Sequence, residues 1–188
     1  ASSSYYLKGL IYYTEGKDKE ALDQVNKALR YNGRNDQALA LGGDILKRNR
    51  SYAKAIETYE KVVRAKKADE KVLLSLAECY CRVKNYKMLE QVTTLLHEQG
   101  RDKVTLRKIE IRAFLQQKKS AEARELLLQM KDVKEDSELM LLWGLYELTE
   151  GRRASALEYA KKATELDPHD WEASELQNVL SKGGDIRL

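Results

Sequence analysis

"GLIYYTEGKDKEAL", residues 9–22, opens on a glycine, carries a second at Gly16 and reaches an alanine at Ala21. "GLYELTEGRRASAL", residues 144–157, repeats the pattern with Gly144, Gly151 and Ala156. Between them lie "GDILKRNRSYAKAI" from Gly43, "AECYCRVKNYKMLE" from Ala77 and "IRAFLQQKKSAEAR" from Ile111. The five starts are 34, 34, 34 and 33 residues apart, a spacing too regular for chance. Self-similarity at such a period marks a chain built of stacked units.

Twelve residues into each segment a second position recurs: Ala21, Ala55, Leu89, Ala123 and Ala156. Small residues at two fixed positions let paired helices approach closely. Large ones fill the space between, Tyr12, Leu46, Tyr80 and Phe114 on the first helix and Val25, Tyr59 and Leu127 on the second. Each segment therefore reads as an antiparallel helix pair. One pair cannot bury both apolar faces alone, so neighbours must stack.

The pattern resembles the tetratricopeptide repeat (TPR), the 34-residue helix–turn–helix unit of peptide-binding solenoids. Gly9, Gly43 and Gly144 carry the first small position, and Ala21, Ala55, Ala123 and Ala156 the second. Gly16 and Gly151 fall in the turn inside the pair, and "KKATELDP" ending at Pro168 matches the closing turn. The resemblance implies an all-α, right-handed superhelical solenoid of antiparallel helix pairs, a single domain over residues 1–188. Its five units would be 2–35, 36–69, 70–103, 104–136 and 137–170. Pro168, the one proline in the chain, is the consensus-like copy of a stop made elsewhere by "YNGRND" around Gly33, "AKKADE" around Lys67 and "HEQGRD" around Gly100. Gly33 and Gly100 are expected in the left-handed conformation that ends helices. Residues 170–182 read as a capping helix, with Asp170 as its N-cap and Trp171, Leu176, Val179 and Leu180 as its single apolar stripe.

Some positions depart from the pattern. Leu89 and Ile111 replace small residues, and Leu96 and Met130 stand where the outer units have Ala28 and Ala163. Bulk there is expected to spread the helices and to open or bend the superhelix at units 3 and 4.

The chain has 188 residues, 43% hydrophobic and 34% charged, with a net charge of +4. The signs are interspersed, which fits a solvated helical surface better than a nucleic-acid footprint. No apolar run is long enough to cross a membrane. No leader is evident, and "ASSS" at the start is read either as a spacer after a removed leader or anchor or as a boundary. The location is left between cytoplasm and bacterial cell envelope. Cys79 and Cys81, two apart on a helix, point to nearly opposite sides and cannot bridge each other.

No catalytic, metal or cofactor site is expected. His97 and His169 lack a second ligand at metal spacing, and no phosphate loop, zinc-protease motif or nucleophile elbow is present. The resemblance implies a non-enzymatic scaffold or adaptor that holds a partner segment in a concave groove, within a larger assembly. Family geometry puts Tyr6, Leu10 and Tyr13 in that groove from unit 1, and Asp44, Lys47 and Arg48 from unit 2. Leu74, Glu78 and Arg82 follow, then Lys108, Arg112 and Leu115, then Leu141, Leu145 and Leu148. Lys108 and Arg112, one turn apart, would take an acidic side chain or carboxylate; the alternative is that they pair with Glu78 and Asp44. The family's carboxylate clamp for chaperone tails is not present, since Tyr6 and Leu10 occupy its first positions. Two other readings stand beside the scaffold: a helical-repeat RNA binder using Arg48, Arg82, Lys108 and Arg112, and, within the scaffold class, a bacterial cell-envelope assembly factor.

In "YYLKGLIYY", residues 5–13, Tyr12 is expected in the core, with Tyr5 and Leu7 as candidates for it. A helix apolar all round is normally buried. Tyr5, Tyr6, Leu10 and Tyr13 are therefore read as an association edge, covered by upstream repeats or another subunit, through which the chain would self-associate.

Overall fold

The computed structural model describes residues 1–65 and 68–184, and among these the regular structure is all α-helix. The turn expected around Lys67 lies outside the described residues. Two compact units are present, Ala1–Arg101 and Asp102–Leu188. The first contains α1 (Ser2–Thr14), α2 (Asp18–Tyr31), α3 (Asp36–Arg48), α4 (Tyr52–Arg64), α5 (Glu70–Arg82) and α6 (Tyr86–Gln99). The second contains α7 (Lys103–Gln116), α8 (Ser120–Leu128), α9 (Ser137–Thr149), α10 (Arg153–Leu166) and α11 (Trp171–Ser181). Consecutive helices pair, and within each unit the second helix of one pair packs on the first helix of the next. The first helices also lie side by side, α1 on α3 on α5 in one unit and α7 on α9 on α11 in the other.

Each first helix after α1 starts at an Asn or Asp. Asn35, Asp69, Asp102, Asp136 and Asp170 each accept a hydrogen bond from the backbone N–H three residues on, at Ala38, Val72, Thr105, Leu139 and Ala173. That bond satisfies a donor with no partner inside the helix. Asp170 was legible as a cap from the sequence. The other four form the same device at the same repeat position.

The turn inside each pair is one construction made five times. After α1, the Lys17 N–H bonds to Tyr12 O at 2.8 Å and the Gly16 N–H to Tyr13 O at 3.1 Å, the two bonds of a Schellman motif. Asn85 to Tyr80 and Lys119 to Phe114 repeat the outer bond at 2.9 Å each. The motif needs a residue at positive φ. Gly16 (75°) and Gly151 (77°) meet this freely, but Arg50, Lys84 and Lys118 adopt 58–59° with a side chain present. Gly183, at 72°, ends α11 the same way, so α11 closes as a first helix does.

The expectation for Gly33 and Gly100 is corrected. Neither has positive φ. Helices α2, α6 and α10 leave through an extended residue instead, Asn32 at φ −147°, Gly100 itself at φ −73° and ψ 148°, and Asp167 at φ −144°. The residue before a proline is driven to that region, and Asn32 reaches it without one. The two turns match further: the Asn32 and Asp167 side chains accept from the N–H two residues on, at 3.1 and 2.9 Å. Gly100 is there for space, since a Cβ would lie 2.5 Å from Leu96 O.

The repeat positions fill the cores. Ala21, Ala55, Ala123 and Ala156 are fully buried, and Leu89, Ile111, Leu96 and Met130 are buried as well. Pairs α1/α2 and α9/α10, with glycine and alanine at these positions, approach more closely than α5/α6 with Leu89 and Leu96. Gly43 has a stricter reason: a Cβ there would sit 2.4 Å from the Tyr59 ring. Tyr12 is half-buried, but Leu7 is exposed and is not a core residue.

Candidate functional site

The side-by-side first helices of the first unit expose a mixed aromatic and charged face. Tyr6, Leu10 and Tyr13 on α1 are half-buried and rest on a small core of Ala21, Val25, Leu41 and Ile45. The Arg48 guanidinium stacks on the Tyr13 ring at 3.7 Å. It also donates to Tyr13 O at 2.9 Å and from Nε to Asp18 at 3.1 Å. Burial, and then the nearby Asp44 carboxylate, raise the Tyr13 phenol above its ordinary pKa.

Asp44 accepts from the buried Tyr59 hydroxyl at 2.5 Å. Burial, with Asp44 second, pushes the Tyr59 phenol far above its usual range, so it stays a donor. Lys47 bonds Glu78 at 2.9 Å and Ser75 at 3.3 Å. Burial alone would lower the Lys47 pKa, but the Glu78 carboxylate raises it, so the cation is held. Arg82 lies 5.9 Å over the Tyr52 ring, and Leu74 is buried.

In the second unit the expected groove residues are drawn into internal pairs. Lys108 and Arg112 are each only 7% exposed. Lys108 bonds Asp136, the N-cap of α9, and lies 3.7 Å from Glu138. Arg112 grips both Glu172 carboxylate oxygens, at 2.9 and 3.2 Å. Within the second unit their partners are therefore Asp136, Glu138 and Glu172. Leu115, Leu141 and Leu145 belong to the buried core, and Leu148 packs against it.

The structure thus gathers Tyr6, Leu10, Tyr13, Asp44, Lys47, Arg48, Glu78 and Arg82 on the first helices of one unit. It leaves Lys108, Arg112, Leu141 and Leu145 little surface in the other. Sequence reading missed Asp18, Asp136 and Glu172 as partners of the charged groups, and it placed Tyr59 in the core without its hydroxyl bond to Asp44. The repeat spacing back from Asp170 is the signal that could have found Asp136, 34 residues earlier. Tyr5 stacks on Tyr31 at 5.5 Å. The most exposed apolar residues of α1 are Leu7 and Ile11, not Tyr6 and Leu10.

Cys79 and Cys81 are both buried, and burial pushes the Cys79 thiol up to about 12, far from a reactive thiolate. Among the described residues no three His, Cys, Asp or Glu side chains form a metal-holding group. No described helix is long and apolar enough to cross a membrane.

Comparison with known proteins bears on the repeats directly. A family model described as "Psidin, N-terminal TPR repeats region" matches residues 2–130, and a tetratricopeptide-repeat model matches residues 138–170. Among solved structures, a tetratricopeptide repeat protein from Parabacteroides merdae is similar with a TM-score of 0.76 at 20% identity, over 96% of this chain and 71% of that one. A thermophilic TPR protein from Thermus thermophilus gives 0.72 at 19%, over 97% and 100%. YrrB, described as a TPR protein with an unusual peptide-binding site, gives 0.61 at 16%, over 93% and 90%. Against curated proteins, nothing matches. At these identities the solved structures speak for the fold, an all-α helical repeat. The family match extends over more than half of the chain, which belongs to the tetratricopeptide-repeat proteins of the Psidin N-terminal type.

Proposed function

We propose that the chain is a non-enzymatic scaffold that holds a segment of a partner protein on the face of α1, α3 and α5, within a larger assembly. One observation carries this. Tyr6, Leu10, Tyr13 and Lys47 stand half-buried on that face with Arg48 exposed beside them, while the core beneath them is closed. Aromatic and arginine side chains in that state are common interface anchors. The charges are held by Asp18 and Glu78 in fixed positions, which favours specificity over bulk attraction.

The RNA reading loses support from the ion pairs. Arg48, Lys108 and Arg112 each carry a carboxylate partner, which competes with phosphates for these cations.

The test is affinity capture from extract with quantitative mass spectrometry, comparing wild type with Tyr13→Ala/Arg48→Glu. A defined protein set should be lost with the variant while its helical circular dichroism stays unchanged. An identical set on both baits would reject this face as the contact.

A further inference from the structure

Asp44, on α3 between α1 and α5, is half-buried and accepts one hydrogen bond, from the hydroxyl of the fully buried Tyr59 at 2.5 Å. Among the described residues no cation lies within ion-pairing distance of it. Its neighbours are otherwise engaged. Lys47 and Arg48, one turn further along α3, are close enough for Asp44 to act on their charges. Their hydrogen bonds are committed to Glu78 and Ser75, and to Asp18 and Tyr13 O. Arg82 on α5 leans over the Tyr52 ring. The one charge of α1, Lys8, is two residues from Leu10 and so on the opposite side of that helix. Asp44 therefore keeps acceptor capacity that this face does not fill.

The repeat supplies the surroundings. Asp44 shares its position with Leu10 on α1 and Glu78 on α5, 34 residues to either side. One turn earlier the matching row is Tyr6, Ala40 and Leu74. Ala40 is half-buried and far smaller than the residues flanking it, so the face dips at α3 on the side of Asp44 away from Lys47 and Arg48.

We propose that this dip receives a lysine or arginine of the bound partner segment, its charged end on Asp44 and its alkyl stem over Ala40 between α1 and α5. The inference rests on the reading of this face as the contact and adds the chemistry that it selects. Long basic side chains lay their stems on apolar surface while the charge finds a polar site. An acidic side chain would meet Asp44 with like charge, and an apolar one would strip water from the carboxylate without replacing its hydrogen bonds. The buried Tyr59 hydroxyl fixes the carboxylate from beneath.

The test starts from a phage library of random dodecapeptides selected on the immobilised full chain. Peptides that bind wild type and are lost on Tyr13→Ala/Arg48→Glu should share one lysine or arginine. A synthetic, fluorescein-labelled member is then compared with a copy carrying norleucine in place of that residue, which keeps the stem and removes the charge. Norleucine should weaken binding to wild type about tenfold, and far less to Asp44→Asn, whose amide oxygen still accepts from Tyr59. Ala40→Met, which fills the dip and leaves Asp44 in place, should weaken the basic peptide as well; circular dichroism verifies that both variants fold. Selected peptides that need Tyr13 and Arg48 but share no basic residue overturn the cation site and leave the face standing. An equal norleucine effect on wild type and Asp44→Asn, or full affinity for Ala40→Met, does the same. Peptides indifferent to Tyr13→Ala/Arg48→Glu, or no selected peptide at all, overturn the face and the cation site together.

Discussion

Arg112 on α7 and Glu172 on α11, sixty residues apart in sequence, form a two-pronged ion pair that ties together two first helices with α9 between them. Both side chains are largely buried, so the pair is expensive to break and not especially stabilising as a whole. Glu172→Gln should cost about 3 kcal/mol, the low end for a broken buried pair because Glu172 keeps some exposure. Arg112→Met/Glu172→Leu should recover much of that loss. Urea unfolding of both variants decides it; a double variant as unstable as the single one would contradict this reading.

The turns inside the pairs predict opposite signs for two reciprocal changes. Gly151 has open space where a Cβ would go, so Gly151→Ala meets only the positive-φ penalty, about 1 kcal/mol of destabilisation. Lys118 already carries that penalty, and Lys118→Gly should be neutral or stabilising by up to about 1 kcal/mol, net of glycine's entropy cost. Thermal unfolding should show a lowered melting temperature for Gly151→Ala and an unchanged or raised one for Lys118→Gly; a fall in both would mean that φ is not the controlling quantity.

Gly43 should be intolerant of any side chain. Gly43→Ala drives a methyl into the Tyr59 ring, and Gly43→Leu does so more severely, with an overpacking cost of about 1–3 kcal/mol or more. Shrinking the ring in Gly43→Ala/Tyr59→Leu should restore part of the stability, although Asp44 then loses its hydroxyl partner. An unchanged melting temperature for Gly43→Leu would refute the pair geometry.

Acid should weaken the start of α7. Asp102 accepts from the Thr105 hydroxyl at 2.6 Å and from its N–H at 3.0 Å, and the hydroxyl bond first, then the N–H, hold its pKa below the ordinary carboxylate range. A carboxylate depressed in the folded state adds stability that is fully present above about pH 4 and is lost as the pH falls through the lowered value. Asp102→Asn keeps a capping oxygen without the titration, so it should flatten the acid limb. Asp102→Ala should cost about 1 kcal/mol at neutral pH. An acid limb identical in wild type and Asp102→Asn would assign the loss to other carboxylates.

The helix pairs were legible because Gly9, Gly43, Ala21 and Ala55 stand at fixed spacing, and close approach of backbones leaves no other choice there. The positive φ at Arg50, Lys84 and Lys118 was not legible, because neither residue type announces a left-handed turn. Gly33 and Gly100 drew that expectation instead, although the chain leaves α2 and α6 through an extended residue. The partners of Lys108 and Arg112 were equally hidden. They lie 28 and 60 residues downstream, and only stacking of first helices brings Asp136 and Glu172 within reach. The outermost apolar strip, Leu7 with Ile11, was obscured by the five tyrosines and leucines around it, which are equally apolar in sequence but rest on α2 and α3.

The central claim, partner binding on the first helices of the first unit, is met most directly by hydrogen–deuterium exchange of the full chain with and without its captured partner. Complex formation should slow exchange in α1, α3 and α5 around Leu10, Asp44 and Glu78, leave the outer side of α4 unchanged, and lose that protection with Tyr13→Ala/Arg48→Glu. Protection confined to α2, α4 and α6, with α1, α3 and α5 exchanging as in the free chain, would contradict it.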